Sequence, residues 1–279
     1  MKMLNSTAIM RLFIILILAV YTAPATPEQN SKARRRMSPG MKISMTGYPN
    51  SIDDDFMGCK EEMYDRVTKQ LLDKELNSNE NFKTDWNAAK KRLGLENTAL
   101  TRENLRSIAL QAYTRNNIYS DLNNKMREGR GSYTNTFGLI SLHFLMTDGI
   151  QTRNAKQRPQ GMCQTTYRRT KATIDLTDTL VRFGGFASSS LKATLEHFGK
   201  ETCFIITTCY GADISDVSVL PPEAEVLIPP YELFIQDPDI KDSDIPEEFK
   251  RDCRRVYKLI SVGQISIMKC QLVNKVNAG

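Results

Sequence analysis

The feature that most limits the fold is a change of periodicity near residue 160. Residues 59–152 carry apolar side chains at helical spacing, and from Cys163 onward the chain reads as short strands. Within 59–76, Met63, Val67, Leu71 and Leu72 share one face, the three-four spacing of an amphipathic helix. Asp53, Asp54 and Asp55 come just before it, where carboxylates favour a helix start. A second helix is expected over 82–93, with Gly94 as its stop. A third opens at Thr101-x-x-Asn104 with Leu105, Ile108, Ala109 and Ala112 as its stripe, and a fourth covers the apolar run 141–150. In the second half, CFIITTCY (203–210) is rich in β-branched and aromatic residues. Val226, Leu227 and Ile228 make a short strand stopped by Pro229-Pro230, and 231–235 continues it after a bend. The runs 254–261 and 264–270, separated by Val262-Gly263, read as a hairpin. Helices first and strands later argue for an α+β fold rather than a doubly wound α/β sheet.

The composition, 41% hydrophobic and 25% charged over 279 residues, is that of an ordinary globular protein and excludes wholesale disorder. Residues 1–25 read as a signal peptide. Lys2 and Arg11 give a positive start, LFIILILAV (12–20) is too short to span a bilayer, and Ala23-Pro24-Ala25 fits a small-x-small cleavage site. Residues 26–50, rich in Pro, Ser and Gly and containing Arg34-Arg35-Arg36, read as a flexible basic leader, or alternatively as a processing site or a patch for anionic surfaces. Residues 51–279 are then expected to form a single domain. No aromatic platform accompanies the basic cluster, so nucleic acid is not an expected partner. The sequence ends IMKCQLVNKVNAG without an apolar tail, so no GPI anchor and no stable membrane insertion are expected. The chain is read as secreted, extracellular and monomeric.

An oxidising environment should pair the six cysteines, Cys59, Cys163, Cys203, Cys209, Cys253 and Cys270, although spacing alone selects no connectivity. There is no Cys-x-x-Cys pair and only two histidines, so a zinc ribbon or multi-histidine metal site is not expected. His143 and His197 each flank a Phe in an apolar pattern and are read as structural. Neither Gly-x-Gly-x-x-Gly nor a P-loop occurs; a nucleotide would need another device.

Three stretches carry candidate chemistry. Thr166-Tyr167-Arg168-Arg169 puts an arginine on a strand, where its fork can grip two phosphate oxygens or simply face solvent at an edge. In Phe186-Ala187-Ser188-Ser189-Ser190-Leu191, the hydroxyls read either as a helix cap or as a holder for a carboxylate. Glu223-Ala224-Glu225 precedes an apolar strand. On extended backbone the two carboxylates would face one side, with coupled titration, or the segment is an exposed acidic turn.

In this order, Arg168, then Ser188-Ser189-Ser190, then Glu223-Ala224-Glu225, the chain resembles the secreted and cell-surface arginine-specific mono-ADP-ribosyltransferases of vertebrates. GCKEEM (58–63), LHFLMTDGIQ (142–151), VRFGGFASSSL (181–191) and EVLIPPYELF (225–234) extend the resemblance from about residue 51 to the C-terminus. One departure is Arg169, where the family has Gly. The resemblance implies a helical N-terminal part packed on two small, roughly perpendicular β-sheets, with an NAD cleft between them. It implies an enzyme that cleaves NAD, a co-substrate rather than a prosthetic group, and passes ADP-ribose to protein arginines. By position, Glu225 would stabilise the oxocarbenium-like ribose and bind its 2′-hydroxyl. Glu223 would orient the acceptor guanidinium, Ser188 would hold Glu225, and Arg168 would hold the phosphates. Family topology also suggests Cys59 with Cys270 and Cys163 with Cys209, leaving Cys203 for Cys253. The alternatives are NAD hydrolysis with water as acceptor, motivated by Arg169, and a secreted binding protein without turnover.

Overall fold

The computed structural model describes residues 42–277. The expected signal peptide and most of the expected leader, 1–41, lie outside the described residues. Helix α1 (Lys60–Arg66) passes through a five-residue π turn (Val67–Leu71) into α2 (Leu72–Ser78), so the first expected helix contains one wide turn. Helix α3 (Glu80–Arg92) starts where the Asn79 side chain accepts the Phe82 N–H at 3.0 Å, and Gly94, at φ +68°, follows its end. Helix α4 (Arg102–Tyr113) is capped by Thr101, whose hydroxyl accepts the Asn104 N–H at 3.2 Å.

Two further helices are started from a distance. Helix α5 (Ile118–Arg127), not expected from the sequence, has no cap of its own; Asp85 on α3 accepts the Asn117 and Ile118 N–H groups at 3.1 and 2.9 Å. Helix α6 (Ile140–Gln157) begins where Glu75 of α2 accepts the Ile140 and Ser141 N–H groups at 2.7 and 2.9 Å. A carboxylate there satisfies orphan donors and the positive end of the helix dipole together. Burial pushes the Glu75 carboxyl up from its ordinary range, and the Ser141 and Ile140 donors oppose that shift. Residues 140–150 of α6 are all buried, and around them pack Phe56, Tyr64, Phe82, Trp86 and Leu105. Each such side chain contributes about 1.5–3 kcal/mol by leaving water.

The strands form two sheets of unequal size, in the expected α+β arrangement. β1 (Lys42–Met45) and β3 (Thr173–Leu176) pair in parallel as a two-stranded sheet. The larger sheet contains β2 (Gln164–Thr170), β4 (Ala187–Ser190), β5 (Thr202–Thr208), β6 (Ala212–Asp213), β7 (Glu225–Ile228), β8 (Glu232–Gln236) and β9 (Val256–Gln264) in the order β6-β7-β4-β2-β5-β9-β8. Its middle is pinched: β2 and β4 share one residue pair, Tyr167 with Ser190, whereas β2 and β5 pair over seven. Two half-sheets thus meet at a single junction. Bridges join Cys59 to Cys270, Cys163 to Cys209 and Cys203 to Cys253.

Three expectations are corrected. Val262-Gly263 is not a hairpin turn: β9 runs through Gly263 (φ +139°), which sits at a register shift against β8. Residues 265–270 form no strand, and helix α8 (Gln271–Asn277) follows them, its start held by Asp54, which accepts the Cys270 and Gln271 N–H groups, each at 2.9 Å. Asp53 and Asp54 therefore do not start α1. Residues 42–50 are not loose leader either, since β1 lies among them and the carbonyls of Gly47 and Tyr48 are held by Arg182.

Arg182 explains that ordering. It is fully buried, donates to the Gly47 and Tyr48 carbonyls at 2.7 and 2.6 Å, and pairs with fully buried Asp53 at 2.6 Å. Asp53 in turn accepts the Ile267 and Met268 N–H groups at 3.0 and 3.2 Å. Removing one partner leaves an uncompensated buried charge, so Arg182→Met is expected to cost about 3–5 kcal/mol in urea unfolding. A loss below about 1 kcal/mol, the scale of an exposed pair, would contradict this account.

Candidate active site

The VRFGGF segment delivers β4 to its place. Arg182 is anchored as described, Phe183 lies beneath the Arg168 guanidinium at 5.9 Å, and Phe186 enters the core. Between them Gly184 holds φ +68°, with the Tyr48 ring 2.7 Å from where a Cβ would sit. The chain then enters β4, where Ser188 borders a cavity of about 510 Å³. Its lining comes from both half-sheets and from the helical part: Arg168 and Arg169 of β2, Ser188–Ser190 of β4, Glu225 of β7, and Tyr113 at the end of α4.

Glu225 stands opposite Ser190 in the β4–β7 ladder and is 8% exposed. Burial pushes its carboxyl above the ordinary glutamate range, and the Ser188 and Ser218 hydroxyls, followed by the charge of Arg168, oppose that shift; Glu223 adds to it. Ser218 is the partner the sequence reading missed. It donates to Glu225 Oε2 at 2.9 Å and accepts the Leu220 N–H at 3.3 Å, so it ties the carboxylate to the loop before it. No short motif marks Ser218, which lies seven residues before Glu225.

The premise that Glu223 and Glu225 share an extended backbone is corrected. Glu223 ends a 3-10 turn (Pro221–Glu223), and Ala224 between them is left-handed at φ +49°. Both acids nevertheless border the cavity. The Ser190 hydroxyl donates to the Glu223 carbonyl at 2.6 Å and Lys192 Nζ to the Pro222 carbonyl at 2.7 Å. Ser189 and Ser190 therefore belong to a strand, not a helix cap; residues 191–198, the expected helix, contain only a 3-10 turn (Glu196–Phe198).

Arg168 donates to the Ser188 carbonyl, and its charge meets no carboxylate in a salt bridge among the described residues. Neighbouring Arg169 takes the other direction. Its Nε donates to the Ala193 carbonyl at 2.9 Å, and its guanidinium lies 4.7 Å over Phe249 of α7 (Glu247–Asp252). The two histidines separate. His143 is buried, with Nδ1 3.2 Å from the Tyr133 hydroxyl, and burial lowers its pKa to about 3. His197, read as structural, instead borders the cavity and places Nε2 3.3 Å from Glu223 Oε1.

The cavity thus joins a cationic wall to a buried, hydroxyl-held carboxylate, with a second carboxylate beside it. That suits a ligand carrying phosphates at one end and developing positive charge at the other. Residues 45–243 match the family model of NAD:arginine ADP-ribosyltransferase. The chain belongs to this family. The bovine (Bos taurus) ecto-ADP-ribosyltransferase 5 is 34% identical over 227 residues, covering 75% of this chain and 72% of that protein. The chicken (Gallus gallus) erythroblast NAD(P)(+)–arginine ADP-ribosyltransferase is 34% identical over 229 residues, covering 78% and 75%. Among solved structures, a mutant of the eukaryotic mono-ADP-ribosyltransferase ART2.2 in complex with NADH superposes with a TM-score of 0.67 at 28% identity. It covers 82% of this chain and 98% of that one.

The hydroxyls at Glu225 stabilise its charged form, so losing one raises the pKa further and shifts ionisation to higher pH. For Ser218→Ala, the acid limb of the pH–rate profile for nicotinamide release is expected to move upward. An unmoved limb would show that Ser218 does not tune Glu225.

Proposed function

We propose that this protein cleaves NAD between nicotinamide and ribose and transfers the ADP-ribose to arginine side chains of proteins. The observation that carries the proposal is the buried Glu225 carboxylate, bonded by Ser218 and sharing its cavity with Ser188, Arg168 and Glu223. The Arg168 guanidinium, which meets no carboxylate in a salt bridge among the described residues, holds the phosphates of NAD. As the C1′–N bond breaks, its electron pair leaves with nicotinamide and neutralises the pyridinium. Positive charge spreads over the ribose, as in glycoside hydrolysis, and Glu225 stabilises it. Ser188 and Ser218 hold that carboxylate in place before reaction, so little reorganisation is needed when the charge appears. An arginine nitrogen then bonds to C1′ and gives up a proton. Glu223 accepts both tasks at the acceptor, orienting the guanidinium and taking that proton.

NAD hydrolysis is the second reading, and Arg169 favours it. A large buried side chain stands where the family has Gly and borders the same cavity. Product analysis separates free ADP-ribose from modified arginine. We place the protein outside the cell. The N-terminal apolar run, three disulfides and the ecto-enzymes among its relatives support secretion.

With labelled NAD and agmatine, Glu225→Gln is expected to lower nicotinamide release by about 10²–10³-fold, the scale of losing one preorganised electrostatic group. Glu223→Gln is expected to lower transfer to agmatine by about 10²-fold or more, the scale of a lost general base, while NAD hydrolysis continues. Transfer by Glu225→Gln at the wild-type rate would reject the assignment. Equal loss of both activities in Glu223→Gln would contradict the division of labour.

A further inference from the structure

Glu223 has an unassigned neighbour. His197 sits on the 3-10 turn Glu196–Phe198 with Nε2 3.3 Å from Glu223 Oε1. The histidine is 60% exposed and the glutamate 20%, so the contact lies at the cavity mouth, within reach of solvent. Its reach is fixed from both sides. The imidazole packs on Phe198 with ring centroids 4.2 Å apart. Just beyond, Gly199 (φ +139°) lies against the Thr170 and Lys171 backbone so closely that a Cβ would come within 2.2 Å. Other charges near the turn are engaged elsewhere: Glu196 pairs with Lys200 and Arg251, and Lys192 binds the Pro222 carbonyl.

We propose that His197 is a positioning residue for Glu223: it holds one carboxylate oxygen and leaves the other to the acceptor arginine. The proposal rests on the reading of Glu223 as the acceptor-binding group. Its consequence is that His197 sets how ADP-ribose divides between arginine and water. Arg168 and Glu225 face the same cavity, but they act on the cleavage of NAD common to both outcomes. They change the total and leave the ratio.

The test measures agmatine–ADP-ribose and free ADP-ribose together. His197→Phe is expected to lower the agmatine share about tenfold, the scale of one lost hydrogen bond to a charged group. His197→Gln, which keeps a hydrogen-bond donor, is expected to restore the wild-type share. Glu223→Gln is run beside them. If it transfers to agmatine like the wild type, the reading of Glu223 fails, and the proposal with it. If it loses transfer while His197→Phe keeps the wild-type ratio, the role of His197 alone is overturned.

Discussion

The buried pair of Arg182 and Asp53 is the constraint on which the rest of the structure depends. Through four carbonyl and amide contacts besides the ion pair, it joins residues 47–48, the VRFGGF segment and the chain at 267–268. These lie far apart in sequence, so no local propensity could bring them together. Two desolvated charges are tolerated only when each is paired and its remaining hydrogen-bonding capacity is met. Here both conditions hold. The geometry that satisfies the arginine also fixes where β4 begins, and with it the position of Ser188. Stability and site geometry are therefore one problem in this chain.

A related economy governs the helical part. Asp85 and Glu75 start helices that belong to other segments, and Asp54 does the same for the last one. Each carboxylate removes the cost of unpaired N–H groups at a buried helix end. Each also ties together two elements that hydrophobic packing alone would leave free to slide.

These long-range caps explain what the sequence could and could not tell. Helices α3 and α4 were legible because Gly94 and Thr101 act on neighbours within a few residues. Helix α5 was not, since its cap comes from Asp85 on another helix. The alternation over 264–270 mimicked a strand until Asp54 captured its end, and Gly263 mimicked a turn while sitting in a shifted ladder. At the site, Arg168, Ser188, Glu223 and Glu225 are close in space as their order suggested. Ser218 and His197 stood outside any recognisable spacing. Both act by side-chain contact with an acidic residue that only folding brings near.

The left-handed Ala224 has a consequence of its own. Glu225 is locked into the β4–β7 ladder, whereas Glu223 belongs to a short turn fastened by Ser190 and Lys192. A kink of one residue thus separates the loop's outline from the sheet's pleat, while Ser190 and Ser218 stitch the two together. Neighbours in the chain are therefore seated by different means: the outer acid by a fastened turn, the inner one by a ladder.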